Sequence, residues 1–100
     1  MPSIADLVEE ERLRRLADAD ALRQGTDLAA EDRVQLETFG PLAVTARVED
    51  AGAPHRVELR ATGDELTWSC TCPDGQGGAF CRHAVAAARV TWQRAPKRRR

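Results

Sequence analysis

Three cysteines and one histidine lie within 14 residues of one another, as Cys70-Thr71-Cys72, eight residues, then Cys81-Arg82-His83. Thiolate sulfur and imidazole nitrogen are the ligands that zinc takes in structural sites, four at a time and tetrahedrally. Cys70, Cys72, Cys81 and His83 make one complete set and use every cysteine in the chain. The spacing is workable. Residues i and i+2 on a strand point to the same side, so Cys70 and Cys72 can offer both sulfurs to one ion at a strand end. On a helix the same spacing separates side chains by about 200°. Cys81 is therefore expected just before a helix, with His83 in its first turn. There the helix N-terminus favours the thiolate. Pro73, Gly75, Gly77 and Gly78 let the intervening PDGQGGAF loop turn back around the ion.

Other uses of these cysteines fit the sequence less well. They could be small buried hydrophobes, but four ligands at workable spacings argue for metal. A redox pair would be C-x-x-C within a βαβ pattern, and the sequence has C-x-C without one. A catalytic zinc keeps a position for water and a nearby base. Here the loop carries only Asp74 and four good ligands leave no vacancy. Cys81 and His83 could form a nucleophilic pair, but they are better explained as co-ligands.

The elements that must position this set follow from periodicity. Residues 3–24 read as one helix, with Ser3 as its N-cap, Ile4, Leu7, Val8, Ala19 and Leu22 on one face, and Leu13 and Leu16 beside that face. Glu10–Arg14 and Glu11–Arg15 are favourable i,i+4 pairs. Gly25 reads as the helix stop, followed by at most a short helical turn over 26–32. From Arg33 the period becomes two: Val34 and Leu36 alternate until Gly40-Pro41 breaks the run. Three further runs, centred on Val44–Val48, Val57–Ala61 and Leu66–Cys70, are separated by the turns DAGAP and TGDE and read as an antiparallel meander. Residues 82–94 read as an Ala-rich helix, with Cys81, Val85, Ala88 and Trp92 facing the sheet. The expected fold class is α+β: an N-terminal helix, a small antiparallel β-meander, a zinc-closed loop and a C-terminal helix. The expected organisation is a helical segment over 1–32, a finger with its strands over 33–95, and a basic disordered tail over 96–100.

C-x-C-x8-C-x-H after a short meander, with an Ala-rich helix following, resembles the SWIM zinc finger. The resemblance rests on Trp68-Ser69-Cys70-Thr71-Cys72-Pro73 and Phe80-Cys81-Arg82-His83-Ala84-Val85-Ala86, and covers roughly residues 43–93. Arg82 stands where the family usually has Lys. The resemblance implies Cys70, Cys72, Cys81 and His83 as metal ligands, and a zinc module that binds DNA or proteins beside other domains. A helicase-like ATPase is one partner it suggests. It says nothing of residues 1–32.

Composition sets the remaining bounds. The chain has 100 residues and 42% hydrophobic residues, of which 17 are alanines, so 22 larger apolar side chains remain beyond the cysteines. A core of that size commonly needs a staple. The net charge of −1 hides an asymmetry: residues 1–65 carry 15 acids and 8 bases, whereas residues 66–100 carry 1 acid and 7 bases. Arg82, Arg89, Arg94, Lys97, Arg98, Arg99 and Arg100 are the candidate phosphate contacts on this basic rear. Nucleic acid is thus one expected partner. The other is a protein, docked through the acidic helix or a sheet edge. Trp68 and Trp92 could stack bases, but fall on inward faces and read as core. His55 falls in the hairpin turn and reads as a solvated loop residue. Gly75-Gln76-Gly77-Gly78 lacks the lysine and spacing of a phosphate loop. With the zinc ligand set full, the chain reads as a non-catalytic binder, and no small-molecule substrate is expected. No apolar run approaches a membrane span. The opening MPSIADLVEEER has acids where a signal peptide needs a basic and then an apolar stretch. With an odd number of clustered cysteines, the expected location is the cytoplasm.

Overall fold

The computed structural model describes residues 4–94. It contains α1 (Ile4–Leu7), α2 (Glu10–Leu16), α3 (Ala19–Ala30), β1 (Val34–Phe39), β2 (Ala43–Asp50), β3 (Ala53–Thr62), β4 (Glu65–Cys70), α4 (Pro73–Gln76) and α5 (Arg82–Arg94). The strands form one antiparallel sheet in sequence order, β1-β2-β3-β4. This is an α+β fold, with helices at both ends of the chain and the sheet between. The Val34 run joins the meander as a fourth strand, β1. Ser3 and residues 95–100, including Lys97, Arg98, Arg99 and Arg100, lie outside the described residues.

The alternation along the strands explains which face is covered. Val44, Ala46, Val48, Val57, Leu59 and Leu66 are buried on one face, which α5 covers together with α1 over β3 and β4. Helix α5 is in turn covered by α3. A helix buried on two sides needs small side chains around much of its circumference, and Ala84, Ala86, Ala87 and Ala88 are all fully buried. The alanines that leave the composition short of large apolar residues therefore let three layers approach one another.

The N-terminal region departs from the single helix expected over 3–24. The chain leaves helical geometry at Val8-Glu9 and again at Ala17-Asp18. The second break has a local cause: Asp18 is extended and its side chain accepts the Ala21 N–H at 2.8 Å, capping α3. Breaking the run lets each segment turn its own apolar side inward. Ile4, Leu7, Val8 and Leu13 are almost fully buried, while Leu16 stays 39% exposed.

Gly25 does not stop this helix. It lies inside α3, which runs on to Ala30 and ends with Asp32 in the left-handed region at φ 62°. A Cβ at residue 25 would stand 2.5 Å from the Val85 side chain and 2.6 Å from the Arg82 carbonyl oxygen. Gly25 is there because α3 and α5 touch, and Val85 meets α3 at this contact.

The DAGAP turn is tighter than its five residues suggested. Asp50 pairs with Ala53, and only Ala51 (φ 54°) and Gly52 (φ 78°) form the turn. Two residues of positive φ match the twist of a two-residue hairpin. The consequence is positional: Asp50 becomes the last residue of β2, and His55 lies within β3 opposite Val48.

Candidate metal centre

Strand β4 ends at Cys70, but pairing continues one residue further. Thr71 donates its N–H to the Arg56 carbonyl at 3.1 Å, and the Arg56 N–H donates to Thr71 Oγ1 at 3.0 Å. Thr71 is thereby held outward, and Cys70 and Cys72 are both buried. The chain then folds into the single turn α4. Gly75 sits against Cys70, where a Cβ would come within 2.5 Å of the Cys70 Cβ, and its N–H donates to Cys72 Sγ at 3.3 Å. Gly75 is helical and has no positive φ, so it serves here through the space it leaves beside Cys70 rather than through the conformational freedom expected of it, while Gly78 is the loop glycine at positive φ.

The return of the loop is pinned by aromatics. Trp68 donates its indole N–H to the Ala79 carbonyl at 3.2 Å and meets Phe80 edge-on, with ring centroids 4.8 Å apart. Trp68 and Trp92 are both partly buried against the core. Cys81 then stands directly before α5, with its carbonyl accepting the Val85 N–H, and His83 falls in the first turn. This is the placement expected from the spacing.

Cys70, Cys72 and Cys81 are each 5% exposed and His83 is 2% exposed. Their ligand atoms all lie within 4.8 Å of one another. His83 Nδ1 is 3.8 Å from Cys70 Sγ and 3.9 Å from Cys81 Sγ. A zinc tetrahedron with the usual bond lengths has S···S and S···N edges of about 3.8 and about 3.6 Å. The four residues fit a zinc ion, both in donor chemistry and in separation.

The electrostatics of the pocket favour a cation. The hydrogen bond from the Cys70 thiol holds the Cys81 pKa down to about 3, against the opposing effect of burial and with help from His83 and the Ala84 backbone N–H. The same hydrogen bond to Cys81, reinforced by burial, pushes Cys70 up. Burial works against charge on His83, but hydrogen bonds with Cys81, Cys72 and Asp50 outweigh it and raise its pKa to about 9. A sulfur anion beside a positive ring is what this pocket prefers. A divalent cation meets that preference more strongly while displacing the protons.

Sequence reasoning missed one residue of this centre and misplaced another. Asp50, at the end of β2, accepts from His83 Nε2 at 2.8 Å and from Arg82 Nε at 2.6 Å. Despite the burial that opposes it, these two hydrogen bonds lower the Asp50 pKa. No signal near Cys70–His83 in sequence points to a carboxylate that far upstream. His55 is not a solvated loop residue. It stacks on His83 with centroids 4.2 Å apart and planes 18° apart. Burial, with the neighbouring charge of His83, lowers its pKa.

The proposed phosphate contacts are scattered. Arg82 is occupied by Asp50 and also reaches Gln24. Arg89 donates to Thr26 and Glu10. Arg94 is exposed at the end of α5. Residues 55–91 match the family model of the SWIM zinc finger. The match spans all four clustered residues and stops short of Asp50. No curated protein and no solved structure matches the chain.

Proposed function

We propose that this chain, which carries a SWIM zinc finger over residues 55–91, is a non-catalytic module that binds nucleic acid, with Cys70, Cys72, Cys81 and His83 as its zinc ligands. Four side chains complete a tetrahedral zinc and leave it no position for water or substrate. The metal's contribution in this reading is to fold the finger.

The observation that carries the choice of partner is on the sheet face turned away from α5. Arg47 of β2 and Arg56 of β3 are directly opposite each other and both exposed, Arg47 between buried Ala46 and Val48, Arg56 between half-buried His55 and buried Val57. Like charges in that arrangement repel. Arg56 has the Glu37 carboxylate 3.8 Å away, and Arg47 donates to Gln35 Oε1 at 2.8 Å. Arg60 lies on the same face, four residues along β3, and is paired there with Glu58 at 3.8 Å. Phosphate groups would relieve this repulsion, and the hydroxyls of Thr67, Ser69 and Thr71 on the adjoining β4 edge suit sugar and phosphate contacts. Arg94 and the basic residues 97–100 add positive charge in this reading, whereas Arg82 and Arg89 serve the fold.

A second reading has its own observation. A groove of about 320 Å³ between α2 and β4 is lined by Leu7, Leu16, Leu66 and Trp68, with Arg12 and Arg15 at its rim. It suits an interaction with a protein.

Fluorescence anisotropy with labelled single-stranded and duplex oligonucleotides, at salt from 50 to 200 mM, separates the two. Phosphate binding predicts affinity that falls with salt by about 0.9 log unit per log unit of salt for each phosphate neutralised on duplex. Arg47→Gln with Arg56→Gln should flatten that slope by up to about two such contacts. Absence of binding at low salt would reject the nucleic-acid reading. Loss of a protein partner on Leu16→Asp would then support the second.

A further inference from the structure

We propose that Asp50 is the positioning residue of the metal centre, fixing both the tautomer and the orientation of His83, and that Arg82 in turn fixes Asp50. A carboxylate can only accept, so the 2.8 Å contact from His83 Nε2 to Asp50 Oδ2 places the ring proton on Nε2. In the neutral ring that a metal takes, the lone pair is then left on Nδ1, the atom that faces Cys70 and Cys81. A ring turned over about its Cβ–Cγ bond would present carbon to the sulfurs and lose the Asp50 contact. The ring is 2% exposed, so water is a poor substitute for that acceptor. His55, stacked at 4.2 Å, covers one face of the ring and limits its tilt.

Arg82 completes the arrangement. Its Nε donates at 2.6 Å to the same Oδ2, which holds the carboxylate aimed at the ring. Asp50 is brought there by the two-residue turn that follows it, at the tip of the β2–β3 hairpin. The residue that orients the nitrogen ligand thus lies outside the span matched by the family. This inference concerns retention of the metal and does not depend on which partner the module binds.

The test uses full-length, zinc-loaded protein with Asp50→Ala, Asp50→Asn and Arg82→Gln. Zinc affinity is measured by competition with a chromophoric chelator, release by mixing with excess chelator, and the ring by 1H–15N NMR of His83. Removing an acceptor of this kind weakens metal binding about 10- to 100-fold, and Asp50→Ala should do so with faster release and loss of the slowly exchanging Nε2–H signal. Asp50→Asn and Arg82→Gln should lie between it and the parent protein, and they carry the test if Asp50→Ala does not fold. Gly52→Ala strains the same hairpin at a φ of +78° without touching His83. It should lower the melting temperature while keeping the Nε2–H signal. Zinc affinity and release within twofold of the parent in Asp50→Ala would overturn the proposal. So would His83 bound through Nε2, or a Gly52→Ala variant that loses the ring signal as Asp50→Ala does.

Discussion

Gly25 and Val85 are in contact across the α3–α5 interface at a separation that leaves no room for a side chain on residue 25, since a Cβ there would lie 2.5 Å from the Val85 Cβ. On helix propensity alone, Gly25→Ala should stabilise α3 by about 1 kcal/mol. The contact predicts the opposite sign. Forcing atoms into a packed interface costs about 1–3 kcal/mol, so urea melts should show Gly25→Ala less stable than the parent, and Gly25→Leu less stable again. A more stable Gly25→Ala would mean that the helices are not in this contact.

The two histidines should separate in a pair of single substitutions. His83→Ala removes the nitrogen ligand, and the protein should lose stoichiometric zinc and a large part of its stability. His55→Ala should keep its zinc and lose about 0.5–1.5 kcal/mol, the usual worth of a stacked pair. A solvated His55 would have cost less than about 0.5 kcal/mol. Metal content and thermal melts in saturating zinc check both, and zinc loss from His55→Ala would show that the ligand set is wrong.

The hydrogen bonds on Asp50 make a further prediction with a definite sign. Its folded pKa lies below its ordinary value of 3.8. The stability it supplies is therefore fully present above about pH 4 and is lost as pH falls through the folded value. Protons compete for Cys70 and His83, both held above their ordinary values, at higher pH than this, so zinc should leave first on acidification. Excess zinc should move the acid midpoint downward by mass action. Fluorescence of Trp68 and Trp92 followed from pH 8 to 3, at two zinc concentrations, checks this. A midpoint that ignores zinc would indicate that acid unfolding begins elsewhere.

What could be read from the sequence was what is local. Cys70, Cys72, Cys81 and His83 are close in the chain, and strand and helix geometry settle which way each points. The sheet alternation and α5 were legible for the same reason. Gly25 was misread because glycine serves two ends, positive φ and the absence of a Cβ, and only the neighbouring helix reveals which one applies. The run over 3–24 was misread because Asp18 is an ordinary surface residue in a helical pattern until its side chain takes the Ala21 N–H. His55 moved from turn to strand when the hairpin closed with two residues. Asp50 was invisible as a functional residue because its partners, Arg82 and His83, are 32 and 33 positions away.

A closed zinc site made by three sulfurs and one nitrogen has a direct signature in X-ray absorption at the zinc edge, measured on purified full-length protein of known metal content. One zinc per chain is expected, with three sulfurs at about 2.3 Å, one nitrogen at about 2.0–2.1 Å and no oxygen neighbour. A bound water, a two-sulfur shell, or protein that stays folded without stoichiometric metal would contradict it.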